Sequence, residues 1–261
     1  MATTISIGIQ KGGSGKSTTS SIVAYLLSQK HKVLAVDMDG QGNLTQLLTG
    51  VEDIFEFDGN TVYDAIMEED ATNHIIKIND KLHILAGDEN INTLGPYFHV
   101  TLPQAGKVYA TTLKHALEKV SHLYDYIIID NPPALGEISI CSLTASDFVV
   151  VMFETSKFCH SSLLSYLKTI EAVQEKLNND LKVAGILRAM IDNRRSDNKY
   201  YAELIQEEFK EICFKTIIQR TAVVGRLPAF GIIGNPELKQ VVKQYEPFFK
   251  ELMKNVKHVR K

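Results

Sequence analysis

Residues 11–18 read Lys11-Gly-Gly-Ser-Gly-Lys-Ser-Thr18. An apolar run at 5–9 precedes them and a helix-like run at 20–27 follows. Strand, glycine-rich turn and helix is the context in which such a loop has meaning. Gly12, Gly13 and Gly15 allow positive φ and a close backbone approach to a ligand. Amides at the helix start then converge on an anion, assisted by the helix dipole. Lys16 can reach the outer phosphates of a nucleotide, and Ser17 offers a hydroxyl to Mg²⁺. A generic phosphate loop has glycine six positions before that lysine. Here Gln10 stands there, with a second lysine, Lys11, beside it.

Working outward, residues 32–37 form an apolar run ending in an acid. That is the pattern of a buried parallel strand delivering Asp37 at its carboxyl end. Residues 38–43 (Met-Asp-Gly-Gln-Gly-Asn) follow as a polar loop holding Asp39, with a short helix at 44–48. Residues 126–130 (Tyr-Ile-Ile-Ile-Asp) are a second strand ending in an acid, Asp130, stopped by Pro132 and Pro133. Further strands are expected at 82–86, 148–153, 182–190 and 216–218. Helices are expected at 62–67, 107–123, 161–177, 200–211 and 238–256, the last interrupted or capped near Pro247. Residues 51–60, 96–106, 192–198 and 219–234 read as loops. This alternation predicts an α/β fold, a doubly wound, mostly parallel sheet flanked by helices, as one domain over 1–261. Ligands of such sheets bind at the carboxyl ends of strands, where the phosphate loop, Asp37, Asp39 and Asp130 can meet.

The 261 residues are 44% hydrophobic with a mean hydropathy of −0.05, enough for a sizeable core. No apolar run approaches the ~20 residues of a spanning helix, and no signal-peptide pattern opens the chain. Cys141, Cys159 and Cys213 are far apart, which argues against zinc or disulfide frameworks and fits a reducing cytoplasm. Net charge is −3, but residues 214–261 hold seven Lys and three Arg against three Glu, or +7. Such a segment is either a solvated cationic helix or a basic face for an anionic partner.

Nucleotide chemistry assigns the acids roles. Ser17 and Asp130 form the natural metal pair, with Asp37 as support and Asp37 or Asp39 handling water. Asp39, on the mobile loop, is the better water group. Lys11 is surplus to one subunit. Either it is a solvated loop lysine, or it points at a second copy's nucleotide, like an arginine finger supplied in trans.

Residues 11–18 resemble the deviant Walker A motif of the ParA/MinD superfamily. Asp37-Met-Asp-Gly-Gln-Gly-Asn43 is similar to the switch of the ParA/Soj partition ATPases, and Tyr126-Ile-Ile-Ile-Asp-Asn-Pro-Pro133 to their Walker B strand. Leu143-Thr-Ala-Ser-Asp147 and Thr216-Ile-Ile-Gln-Arg220, with Pro228 and Gly231, also fit. The resemblance covers essentially the whole chain. It implies a P-loop ATPase using ATP and Mg²⁺ that closes into an ATP-dependent sandwich homodimer. Lys11, Lys16 and Asp39 would be catalytic, Lys11 on the partner's phosphates and Asp39 on water. Lys11, Gly12, Gly13, Ser14, Gly15, Lys16, Ser17 and Thr18 would hold the phosphates, Gln219 and Thr221 would lie near the base, and Ser17, Asp37 and Asp130 would serve the metal. The dimer would bind DNA without sequence preference, and a ParB-type centromere-binding partner would stimulate hydrolysis. The location implied is the cytoplasm, on the nucleoid, without membrane attachment.

Arg220 matches a family arginine and Arg194 sits in a similar loop. Arg226, Lys239 and Lys243 are DNA candidates from the basic segment. Some positions depart from the family pattern. Gly40 replaces a proline, which is expected to loosen the switch. Asn131 replaces a smaller residue, Gln219-Arg220-Thr221 replaces Pro-Arg-Asn, and Val223 replaces a second arginine. The sequence begins at strand one, so operator-specific autorepression through an N-terminal helix-turn-helix is not expected.

Three rival functions share these motifs. A MinD-type membrane-cycling ATPase needs a C-terminal amphipathic anchor. Phe248, Phe249, Leu252, Met253 and Val256 form an apolar stripe among lysines, although a packed helix face explains it as well. A reductase iron protein or amidotransferase-type synthetase needs other features, bridging cysteines in the first case. A ParA-like homologue positioning another cargo uses the same parts.

Overall fold

A computed structural model describes residues 1–155, 157–191 and 196–258. Eight strands form one sheet in these residues: β1 (Thr3–Gly8), β2 (Val33–Asp37), β3 (Ile76–Lys77), β4 (Leu82–Leu85), β5 (Tyr126–Asp130), β6 (Phe148–Glu154), β7 (Lys182–Ile191) and β8 (Cys213–Gln219). Their order is β3-β4-β2-β5-β1-β6-β7-β8, all parallel except β3 against β4.

Successive side chains on a strand face opposite ways, and the core divides accordingly. Val33 and Ala35 join one buried cluster while Leu34 and Val36 join a second. The first receives helices α1 (Lys16–Ser28), α2 (Asn43–Thr49), α7 (Lys157–Lys176), α9 (Ala222–Phe230) and α10 (Leu238–His258). The second receives α3 (Val62–Glu68), α5 (Thr112–Glu118) and α6 (Glu137–Thr144), with the single turn α4 (Leu102–Gln104) at its rim. Both faces are covered, so β2 and β5 can be apolar at nearly every position before their final acids, and β1 is buried along its whole length. Parallel register then sets Asp37 of β2 opposite Asp130 of β5, and Ile7 of β1 on the other side of Asp130.

Several expectations are corrected. Residues 219–234 are not a loop, because α9 runs through Gly225 and Pro228, started by the Thr221 hydroxyl accepting from Val224 N–H at 3.3 Å. Pro247 does not interrupt α10, whose packing of Tyr245, Phe248 and Leu252 holds it together. The helix expected at 107–123 is α5 between two 3₁₀ turns, and residues 96–106 contain a π turn followed by α4. The antiparallel β3 and the helix α6 had no sequence counterpart. The loop expected at 192–198 lies outside the described residues at 192–195, and α8 (Ser196–Glu208) begins directly after.

At the β8 edge, α10 lends a carboxylate to the strand. Glu251 accepts from the Lys215 amide at 2.8 Å, the Thr216 amide at 3.0 Å and the Thr216 hydroxyl.

Candidate nucleotide site

The loop between β1 and α1 takes the shape its glycines permit. Gly13 and Gly15 have φ of 73° and 81°, and Gly15 is the N-cap of α1. A side chain on Gly15 would be excluded twice. Its φ is unfavourable, and a Cβ there would lie 2.4 Å from the Met190 methyl. Met190, at the end of β7, itself holds a left-handed φ of 57°. It therefore buttresses the cradle from a strained position, a role no motif advertised.

Lys16 is 6% exposed, and its ammonium donates to the Lys11 carbonyl at 2.9 Å. Burial lowers its pKa, against the pull of the Asp130 and Asp39 charges. Ser14 Oγ donates to the same carbonyl at 3.3 Å. The Lys11 side chain turns back onto its own chain, 2.5 Å from Glu154 Oε2 at the end of β6.

The two strand-end acids meet as expected but in different states. Asp130 Oδ1 accepts from Ser20 Oγ at 2.8 Å, while Oδ2 is buried with no hydrogen-bond partner. Burial pushes its pKa up to about 6, with Ser17, Ser20 and Lys16 pulling the other way. Asp37 is pushed higher, to about 8, by burial and by the neighbouring Asp130. Its Oδ2 accepts from the Thr45 amide at 2.9 Å and hydroxyl at 2.8 Å, and its Oδ1 from the Asp39 amide at 3.2 Å. Both Asp37 oxygens are thus engaged in bracing the switch, directly across the sheet from Asp130. Thr45 Oγ1 also accepts from the Gly87 amide at 2.8 Å, so one hydroxyl links α2, β2 and the segment after β4.

Asp39 is 9% exposed and caps its own turn by accepting from the Gln41 amide at 3.1 Å. Gly42, with φ of 63°, starts α2. Gly40, expected to loosen the switch, is closely packed. It is buried, and a Cβ there would lie 2.4 Å from Asn92 Nδ2, so the small residue admits a close lid.

A cleft of about 440 Å³ opens over the loop, lined by Gly12 through Thr18, Asp39, Gln41, Asn43, Met190, Arg220, Val224, Gly225 and Pro228 among others. Its size suits a nucleotide. Gln219 and Thr221 do not line it. The Gln219 carbonyl accepts from Gln244, and Thr221 caps α9. Arg220, expected on a DNA surface, is exposed and lines this cleft. Arg226 is held by Glu237 through two hydrogen bonds, at 3.0 and 2.7 Å. Lys239 and Lys243 are exposed on α10, and Arg194 lies outside the described residues. The cleft-lining Val224, Gly225 and Pro228 were hidden by their loop-like composition.

The unpaired Asp130 Oδ2 beside Ser17 fits a hydrated divalent cation, which needs few protein ligands. No group of three or more His, Cys, Asp or Glu suited to a metal occurs among the described residues. In the C-terminal stripe, Phe248, Leu252 and Val256 are buried in the core, while Phe249 and Met253 are half-buried. No helix of the described residues is long and apolar enough to cross a membrane.

Residues 2–183 match a family model described as an AAA domain. The chain is 36% identical over 234 residues to the sporulation initiation inhibitor protein Soj of Bacillus subtilis, covering 88% of this chain and 89% of that protein. It is 30% identical over 253 residues to the chromosome partitioning protein ParA of Myxococcus xanthus, covering 96% and 87%. Apo McdA from Cyanothece superposes with a TM-score of 0.80 at 25% identity over the full length of both chains. With a two-lysine phosphate loop, two strand-end acids side by side in the sheet and a switch aspartate lining the cleft, the chain belongs to the ParA/Soj family of P-loop ATPases.

Proposed function

We propose that this chain is a DNA-partition ATPase in which nucleotide state controls dimerisation and dimerisation controls DNA binding. The observation that carries this reading is a cleft lined by the phosphate loop and Asp39, with the Asp130 charge acting on Lys16 and a second lysine, Lys11, at the start of the loop. A single-subunit hydrolase needs only one of those lysines. The second acts across a sandwich homodimer, on the partner's phosphates.

Amides of residues 12–18 and Lys16 hold the phosphates of ATP. Ser17 and Asp130 hold Mg²⁺, which neutralises phosphate charge when bound. Both acids carry raised pKa values in this cleft, and a cation beside them favours their ionised forms. Asp39 orients the attacking water, and ADP and phosphate leave. Arg220, Val224 and Pro228 border the space left for the base and ribose. Lys239 and Lys243 supply phosphate contacts to non-specific DNA, which makes binding salt-sensitive. A ParB-type partner triggers hydrolysis, and the protein works in the cytoplasm on the nucleoid as a single domain.

Co-sedimentation with DNA under ATP–Mg²⁺ and under ADP–Mg²⁺ tests the reading, alongside vesicles of anionic lipid. DNA binding only with ATP is the expected result. ATP-dependent vesicle binding with no DNA binding would replace it with the membrane-cycling alternative.

A further inference from the structure

Lys11 is not poised outward. It precedes the first cleft-lining residue, Gly12, and its ammonium pairs with Glu154 of its own chain at 2.5 Å. Parallel pairing explains the meeting. β6 lies beside β1 with Gly8 opposite Val151, so the last residue of β6 arrives beside the loop that leaves β1. The Lys11 amide bonds back to the Ile9 carbonyl at 2.9 Å, which tightens that turn and directs the side chain toward β6. Its carbonyl is held from the other side by Lys16 at 2.9 Å. Both lysines are therefore occupied within the subunit, Lys16 by a neutral carbonyl and Lys11 by a full charge.

We propose that Glu154 is a positioning residue that keeps Lys11 on its own subunit until a second copy's nucleotide competes for it. The proposal rests on the sandwich dimer argued above. When Lys11 crosses, Glu154 loses its cation while only 23% of its side chain is exposed to water. The unpaired carboxylate disfavours the dimer and recaptures Lys11 once the partner's phosphate has left. Glu154 thus raises the nucleotide threshold for dimerisation and speeds separation after hydrolysis.

The test compares wild type, Glu154→Gln and Glu154→Asp by sedimentation with a non-hydrolysable ATP analogue and Mg²⁺. A partly exposed pair weakens competing states by up to about fivefold, hence roughly 25-fold for the two pairs broken per dimer. Glu154→Gln is expected to dimerise tighter by a factor of this order, with analogue affinity of the dilute monomer unchanged. Glu154→Asp, which keeps the charge, returns toward the wild-type constant. Lys11 labelling by an amine reagent in nucleotide-free protein, read by mass spectrometry, is expected to accelerate in Glu154→Gln. A Glu154→Gln dimer as weak as wild type or weaker, or unchanged Lys11 labelling, overturns the proposal. A wild-type protein that never dimerises with the analogue overturns both this proposal and the partition reading, so the two failures are distinguishable.

Discussion

Gly87 belongs to no motif, yet the switch is packed directly on it. Gly87→Ala would place a Cβ 2.8 Å from Asp37 Cγ, 2.9 Å from Asp37 Oδ2 and 2.9 Å from the Asp39 carbonyl oxygen. None of these atoms is the free end of a flexible chain. Asp37 is fully buried and held by Thr45, and the Asp39 carbonyl accepts from the Gly42 amide at 2.9 Å. Relief therefore requires the switch backbone to move by several tenths of an ångström. Overpacking of this kind costs about 2 kcal/mol, which lowers the melting temperature by roughly 4–8 °C for a protein of this size. The displaced element carries Asp39, so the stabilisation gained on adding an ATP analogue and Mg²⁺ should shrink as well. Differential scanning fluorimetry with and without the analogue reads both effects. Gly95→Ala is the control, because its Cβ would meet nothing within 4 Å and its φ is not left-handed. A Gly87→Ala protein melting within a degree of wild type, with a full nucleotide response, would refute the account of the switch.

Asp37 and Asp130 hold protons that the unfolded chain has released, because their pKa values stand near 8 and 6. The stability they contribute is greatest below the ordinary carboxylate range and falls as pH rises through about 6 and then about 8, by up to about 1.4 kcal/mol per pH unit for one proton. Thermal melts of nucleotide-free protein from pH 5.5 to 8.5 should show that decline, and Asp37→Asn should flatten it. A pH-independent wild-type melt would contradict the raised values. Asp39→Ala should bind ATP and persist as a DNA-bound dimer while hydrolysis falls at least a hundredfold; a fully hydrolytic monomer would remove Asp39 from its role. Lys11→Ala should bind ATP with near wild-type affinity in a titration and form no hydrolytically competent dimer in a coupled ATPase and sedimentation assay. Arg220→Glu should weaken nucleotide binding itself, whereas Lys239→Glu with Lys243→Glu should lose DNA co-sedimentation and retain ATP affinity.

What could be read from the sequence was the chemistry carried by consecutive residues. The phosphate loop depends on local backbone geometry, so its spacing revealed it. The strand-end acids were visible because a buried parallel strand is apolar until its last residue. The unreadable parts depend on residues distant in sequence. Glu154 looks like any strand-terminal acid until β6 is laid beside β1. Met190 is an ordinary apolar residue until its methyl stands over Gly15. Gly40 gave no sign in the sequence that Asn92 would stand over it. The helix α9 was masked by Gly225 and Pro228, whose local preference loses to the burial of Val224 and Leu227. Arg226 carried a charge that the sequence could count but not cancel, since Glu237 is paired with it only in space.

The contact between Glu251 and β8 bears on how copies of this chain can join. An edge strand offers free amides to any incoming strand, and sheets grow into filaments or aggregates by that route. Two consecutive β8 amides are already given to the Glu251 carboxylate. Strand addition there must first evict a charged acceptor that belongs to the longest helix of the fold. Those two amides are thereby withheld from an incoming strand, and this part of the border resists growth of the sheet.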